Sequence, residues 1–336
     1  MASIDPAAPS RRRGKSFLGL GVAAVLLLVA MVFAIRYGAA SLKLSEVFDG
    51  LFNLGNVFAR QVVWDIRFPR VVVAALCGAG LAIAGSILQA VTRNPLGDPH
   101  IFGFSSGAGV AAIALLLLAP GYPTGLLPVA SFLGALLAAA IVFALAWRGG
   151  ISPIRFALAG VAVAALFTAI STTLIATSDL FTQAVLSFLA GGLYQVGWTG
   201  LWTILPYTVV AGLVAIVIAD RLNILALGDD IAASVGLRVE RTRLLLVALA
   251  AILTAAAVSV AGLIGFVGLV APHVARLILG SDERVALPMA ALLGALLLVV
   301  ADTIARVVIA PSEIPVGIFT AIVGAPTLLI LVRTRT

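Results

Sequence analysis

The sequence predicts an all-α, polytopic membrane helix bundle of about ten transmembrane helices. Three observations lead there. Hydrophobic residue types make up 62% of the 336 residues and charged types only 10%. A soluble domain carries roughly a quarter charged residues, and one with so few could not cover a water-facing surface. The apolar residues recur in runs close to the ~20 residues that cross a hydrocarbon core as a helix. The basic residues, which leave a net charge of +7, stand singly or in short groups between those runs. That is how cationic loops anchor membrane helices, and it excludes the continuous basic face that nucleic acid requires.

The chain opens on Arg11, Arg12, Arg13 and Lys15, followed by an apolar run from Phe17 to Ile35. A cleaved signal has a shorter core of ~7–15 residues and a small-residue cleavage site. Residues 1–16 therefore read as a cytoplasmic N-terminal tail, and 17–336 as one transmembrane domain. Its spans fall at 17–36, 71–92, 104–119, 128–147, 155–177, 201–219, 244–262, 264–279, 286–309 and 315–332. The eighth is interrupted by Gly262, Gly265, Gly268 and Pro272, and 178–200 has room for a short re-entrant helix beside Gly191 and Gly192.

Loop charge sets the orientation. With the N-terminus inside, the inner side holds Arg11, Arg12, Arg13, Lys15, Arg93, Arg148, Arg155, Arg221, Arg238, Arg241, Arg243, Arg276, Arg284, Arg333 and Arg335, 15 of the 21 basic residues. Arg36, Lys43, Arg60, Arg67, Arg70 and Arg306 fall outside. Ten spans with both termini cytoplasmic satisfy this bias. The outer arginines are exceptions that ask for a reason.

In the second span Ala74, Gly78, Ala82 and Ser86 make a stripe of small residues that lets backbones approach closely. Cys77, the single cysteine, lies in an apolar run and reads as a small buried hydrophobe. Arg70 and Arg243 each precede a Pro-His pair by 29 residues (Pro99-His100 and Pro272-His273). That echo would mark an inverted repeat, a common transporter architecture.

No G-x-x-x-x-G-K-[ST] phosphate loop is present, and two histidines in separate loops assemble neither a catalytic set nor a metal site. The chain reads as non-catalytic, with no cofactor of its own. An ion-coupled carrier would bury several ionisable groups near midplane. Here Asp302 is the plausible intramembrane acid, and Arg306 lies one helical turn away.

The cytoplasmic loop 220–243 carries a short amphipathic helix. Asp229 or Asp230 can cap its start, Leu227, Ile231 and Val235 make a four-spaced apolar face, and Gly236 stops it. Such a helix either rests on lipid or docks in a groove of a partner. The segment RNPLGDPH at 93–100 makes a sharp turn just inside the membrane and is a candidate for lining the inner mouth of a pathway.

Seven ordered motifs resemble the FecCD-type permeases. These are the membrane subunits of type II ATP-binding-cassette importers for iron-siderophores, haem and vitamin B12. The motifs are RFPR at 67–70, GxxLAxxGxxxQ at 78–89, RNPLGDP at 93–99, LGDDIAASVG at 227–236, GFVGLVAPHVAR at 265–276, ADTIAR at 301–306 and EIPVGIFTAIVGAP at 313–326. The resemblance covers the chain from about residue 60 to its end. It implies ten helices per subunit and a second permease subunit, identical or homologous, with the pathway between them. It also implies ATPase subunits below, where ATP and Mg act, and an extracytoplasmic substrate-binding protein above. By the same resemblance Arg67, Arg70 and Arg306 accept carboxylates of the binding protein. Asn94 and Leu96, with Ser152 by a looser match, form the cytoplasmic gate. Leu227, Gly228, Asp229, Asp230, Ile231, Val235 and Gly236 form the ATPase coupling helix. The expected function is import of ferric-siderophore complexes across a bacterial cytoplasmic (inner) membrane, the motif wording lying nearest the catecholate branch. Haem or cobalamin import and ion-coupled secondary transport are the alternatives.

Overall fold

A computed structural model describes residues 8–38, 41–52, 54, 57–119, 121–123, 125–178, 182–194, 196–310 and 312–335, excepting the side chains of 8–15, 182, 331, 332, 334 and 335. It is helical throughout. The helices are α1 (Ala8–Arg36), α2 (Leu44–Phe52) and α3 (Val57–Arg60), then a π-helical segment (Gln61–Arg67) that runs directly into α4 (Phe68–Thr92). There follow α5 (Phe104–Leu118), α6 (Leu126–Ala146), α7 (Pro153–Ala176), α8 (Thr182–Ala190), α9 (Trp198–Val217), α10 (Ala219–Ala226) and α11 (Asp229–Ser234). The chain closes with α12 (Val239–Ala261), α13 (Val267–Leu279), α14 (Glu283–Val307) and α15 (Val316–Arg335). Among the described residues there is no strand, only an isolated bridge between Trp147 and Ile151.

Among the described residues seven helical stretches are long and apolar enough to cross a membrane, and three shorter apolar helices (104–118, 267–279 and 316–330) bring the total to the ten expected segments. The boundaries move by a few residues. The second span begins earlier than residue 71 because the π-helical segment continues into α4, making Val57–Thr92 one helical stretch with Pro69 inside it. The eighth segment is short as expected. α12 ends at Gly262 (φ +67°), and α13 is entered through Phe266, a non-glycine residue in the left-handed region. The 178–200 stretch holds a short helix, α8. It is followed by Gly191 (φ +67°), where a Cβ would stand 2.2 Å from the Leu263 carbonyl oxygen. The sequence reading had no counterpart for α2, α3 and the π-helical segment.

α4 and α12 form the centre. Of the apolar stretches they contain, 78% and 72% is buried, against 17% in α1 and 11% in α7. The small-residue stripe works at the α4–α14 crossing. A methyl on Gly78 would lie 2.1 Å from the Gly294 carbonyl oxygen, and one on Gly294 would lie 2.4 Å from that of Gly78. Gly85 meets Gly268 of α13 just as closely. Cys77 is buried, its thiol 3.9 Å from the Ala257 carbonyl oxygen. The Pro-His echo does not extend to local structure. Pro99-His100 lies in a turn, whereas Pro272-His273 lies inside α13.

Side-chain contacts show which loops share an end of the bundle. One end gathers the 93–103 turn, the 147–152 turn, α10, α11 and the α13–α14 turn. It is called the Asp229 end below. The other gathers the end of α1, the π-helical segment, the start of α4, the end of α14 and the start of α15. It is called the Arg70 end.

Candidate functional site

The Arg70 end departs from the sequence expectation. Arg67, Arg70 and Arg306 are not exposed cations; they are 6%, 7% and 6% accessible. Arg70, in the first turn of α4, is held by two carboxylates. Its Nε and Nη2 donate to Asp302 at 3.2 and 2.8 Å, while Nη1 and Nη2 donate to Glu313 at 3.0 and 2.9 Å. The same Asp302 pairs with Arg306 one turn along α14, at 3.1 Å. Arg306 also donates to the Ala34 carbonyl oxygen at 3.0 Å, and Arg67 donates to those of Ile35 and Arg36 at 2.8 and 2.9 Å. These are carbonyls of the last turn of α1, which lack helical partners and attract cations. The positive-outside exceptions thus have an internal reason, since they clamp α1, α4, α14 and the approach to α15. Glu313 was missed as a site residue. Its signal lay in the EIPVG motif, in an acid at the mouth of a span.

The Asp229 end gathers the residues assigned to gate and coupling helix. In the 93–103 turn, Arg93 terminates α4 in the left-handed region (φ +50°). Asn94 Oδ1 accepts from the Leu96 N–H at 3.0 Å, an Asx turn that sets the Asn-Pro-Leu geometry. Asp98 is buried and accepts from the His100 N–H at 2.8 Å. Burial pushes its carboxyl above the ordinary carboxylate range, opposed by bonds from His100 and Leu269. Ser152 is the residue before α7 and makes no capping hydrogen bond. The preceding Ile151 is fixed at both backbone groups by α12: its N–H donates to Glu240 at 3.1 Å, and its carbonyl accepts from Arg243.

α11 is a single six-residue turn-and-a-half outside the bundle. Leu227, Ile231 and Val235 are 64%, 49% and 64% accessible, so the expected apolar face is present and uncovered. Gly236 stops the helix at φ +83°, as expected. The capping expectation is corrected: Gly228 is the N-cap, and neither Asp229 nor Asp230 caps by its side chain. Asp229 is instead occupied by Arg93 and by Arg243, the latter at 2.8 Å. A second tie holds this end. Arg276 of α13 bonds Gln89 of α4 and Glu283 of α14 (2.8 Å to the acid), while Asn223 of α10 accepts from the Glu283 N–H at 2.8 Å.

A feature with no counterpart in the sequence reading lies on α7. The hydroxyls of Thr168, Thr172, Thr173 and Thr177 each donate to a carbonyl four residues back, at 2.8–2.9 Å. With Ala165, Ala169 and Ala176 they line an open groove. Self-satisfied hydroxyls let a largely uncovered membrane helix carry a mildly polar stripe. The four-residue threonine spacing was the available signal. Among the described residues no cluster of histidine, cysteine and acid could hold a metal ion.

These features define an all-helical membrane protein with a short helix whose apolar side chains are uncovered at one end and a buried ion cluster at the other. Residues 26–334 match the FecCD transport family, and the chain belongs to it; it is a multi-pass membrane permease. It is 36% identical over 324 residues to the Fe(3+)-citrate import system permease protein YfmE of Bacillus subtilis, covering 96% of this chain and 97% of that one. It is 45% identical over 278 residues to the cobalamin import system permease protein BtuC of Halobacterium salinarum, covering 82% and 74%. It superposes on a metal-chelate type ABC transporter solved in an inward-facing conformation, with TM-score 0.84, 29% identity, and 94% and 98% of the two chains covered.

Proposed function

We propose that the chain is the translocating subunit of an ATP-driven importer of ferric-siderophore complexes in a bacterial cytoplasmic membrane. The observation that carries this reading is α11. Its apolar residues are uncovered at a polar end of the bundle, and its base is bonded to Arg93 of one loop assigned to the gate and, through Arg243 of α12, to the other. A surface of that kind suits an ATPase subunit. In this reading the Asp229 end is cytoplasmic, since it collects most of the cationic loops. Two permease subunits would place the α7 stripe along a shared path, since it is the mildly polar face of a largely uncovered helix. ATP and Mg belong to the partner ATPase. Relatives named for iron chelates support the cargo.

Docking of a substrate-binding protein at the Arg70 end needs a partner exchange. Of the two acids on Arg70, Asp302 is 1% accessible at its side chain and Glu313 is 30%. Glu313 is therefore the one that a carboxylate from outside can displace, leaving Arg70, Arg306 and Arg67 to orient the docked protein. A second reading, cobalamin import, is favoured by the 45% identity to the Halobacterium protein.

The test is uptake into vesicles holding the permease, its co-expressed ATPase and the binding protein, with a panel of ferric siderophores, haem and cobalamin. ATP-dependent uptake of a ferric siderophore is expected. Uptake by the permease alone under a proton or sodium gradient would remove the importer reading, and uptake of cobalamin alone would select the second cargo.

A further inference from the structure

We propose that Asp229 is the positioning residue that links the coupling helix to both cytoplasmic gate loops, so that a displacement of α11 shifts one loop relative to the other. This rests on the reading of α11 as the ATPase dock.

The geometry is that of one carboxylate oxygen shared by two arginines. Asp229 stands at the base of α11. Its Oδ1 accepts from Arg93, the residue that ends α4 and begins the Asn94–Leu96 turn, and from Nη2 of Arg243 at 2.8 Å. Arg93 also reaches back with Nε to the Leu225 carbonyl oxygen of α10 at 3.4 Å. Arg243 is only 1% accessible, and its other nitrogen, Nη1, donates to the carbonyl of Ile151, the residue before Ser152. Glu240, one turn earlier on α12, holds the Ile151 N–H. Gly150 keeps this contact open, since a Cβ there would stand 2.9 Å from Glu240 Oε1. The chain of contacts is therefore α11 to the first gate loop in one step, and α11 to the second gate loop in two.

The two halves differ in kind. The Arg243 arm is buried and braced by α12, so it acts as a fixed pivot. The Arg93 arm is 36% accessible and Asp229 is 41% accessible, so this contact can slide or break without exposing a buried charge. A pivot with one loose arm converts motion of α11 into relative motion of the two loops. Hydrogen bonds to a carboxylate are directional and stronger than neutral ones, which suits a joint better than the apolar contact of the same helix.

The experiment uses the reconstituted complex of permease, ATPase and binding protein and reads cargo taken up per ATP hydrolysed, at matched amounts of bound ATPase. Asp229→Ala and Arg93→Ala are each expected to lower that ratio roughly tenfold, the scale on which residues in coupling networks act. The double substitution is expected to lower it no further, because the two residues share one joint. Asp229→Glu should restore most of it. A cysteine at Leu96, in a chain whose own Cys77 is buried, should change its labelling rate with nucleotide in wild type and not in Asp229→Ala. A merely structural role would reduce bound ATPase without altering the ratio. An unchanged ratio in Asp229→Ala, or single effects that add in the double variant, would overturn the proposal. Failure of the wild-type complex to couple ATP hydrolysis to uptake would instead remove the importer reading, and this inference with it.

Discussion

Arg70 is held at both ends of its guanidinium by acids that differ in exposure, and this sets what each substitution should do. Arg70→Ala strips one of two buried cations from Asp302, which keeps Arg306, so the loss should fall below the ~3–5 kcal/mol that a buried charge left alone costs. Loss of thermal stability in detergent is expected. Glu313→Gln removes the more exposed acid and should cost under about 1 kcal/mol. Equal losses for the two variants would contradict the partner-exchange view of docking. Asp98 allows a pH test. Its folded pKa is raised by burial, so its contribution to stability is full below the ordinary carboxylate value, about pH 4, and is lost as pH rises through the folded value. Asp98→Asn cannot ionise. Its melting temperature relative to wild type should therefore climb between about pH 4 and pH 8, and a constant difference across that range would refute the assignment.

Among the helices, α11 and α4 make opposite demands. In α11 Ile231 is half exposed, and only Ala232 is buried in the chain's own core. Ile231→Asp at this exposed position should change permease stability by less than about 0.5 kcal/mol while abolishing co-purification of the ATPase. Retention of a fully active complex would move the dock elsewhere. α4 has no slack. Gly78→Ala pushes a methyl into the Gly294 backbone, whereas a methyl on Gly80 would find its nearest atom 3.6 Å away. Overpacking costs typically about 1–3 kcal/mol, so Gly78→Ala should lower the melting temperature and Gly80→Ala should not. The small-residue stripe in the sequence announced a close crossing. It held the contact glycine, Gly78, but did not name the partner Gly294, because that depends on which helix α4 packs against.

For the whole molecule, the open question is which uncovered surface faces lipid and which faces water or a second copy. α1 and α7 are the least buried of the long spans, yet only α7 carries a threonine stripe. A cysteine at Thr172 in the assembled transporter should react with an impermeant maleimide, while one at Val25 of α1 should not. Equal reactivity would place α7 in lipid. The class of protein, the ten apolar segments, the charge asymmetry of the loops and the place of the amphipathic helix were all legible in the sequence. Each is a local property, since the bilayer acts as a solvent that sorts segments by length and composition. The fate of the charged residues was not. Arg70 meets Glu313 across 243 positions, and Arg93 meets Asp229 across 136. Three arginines that loop counting placed in the open are buried, and an aspartate assigned to a helix cap holds two arginines instead. No local pattern encodes such partners. They are chosen only when helices distant in sequence pack and each buried charge must find an opposite one within reach.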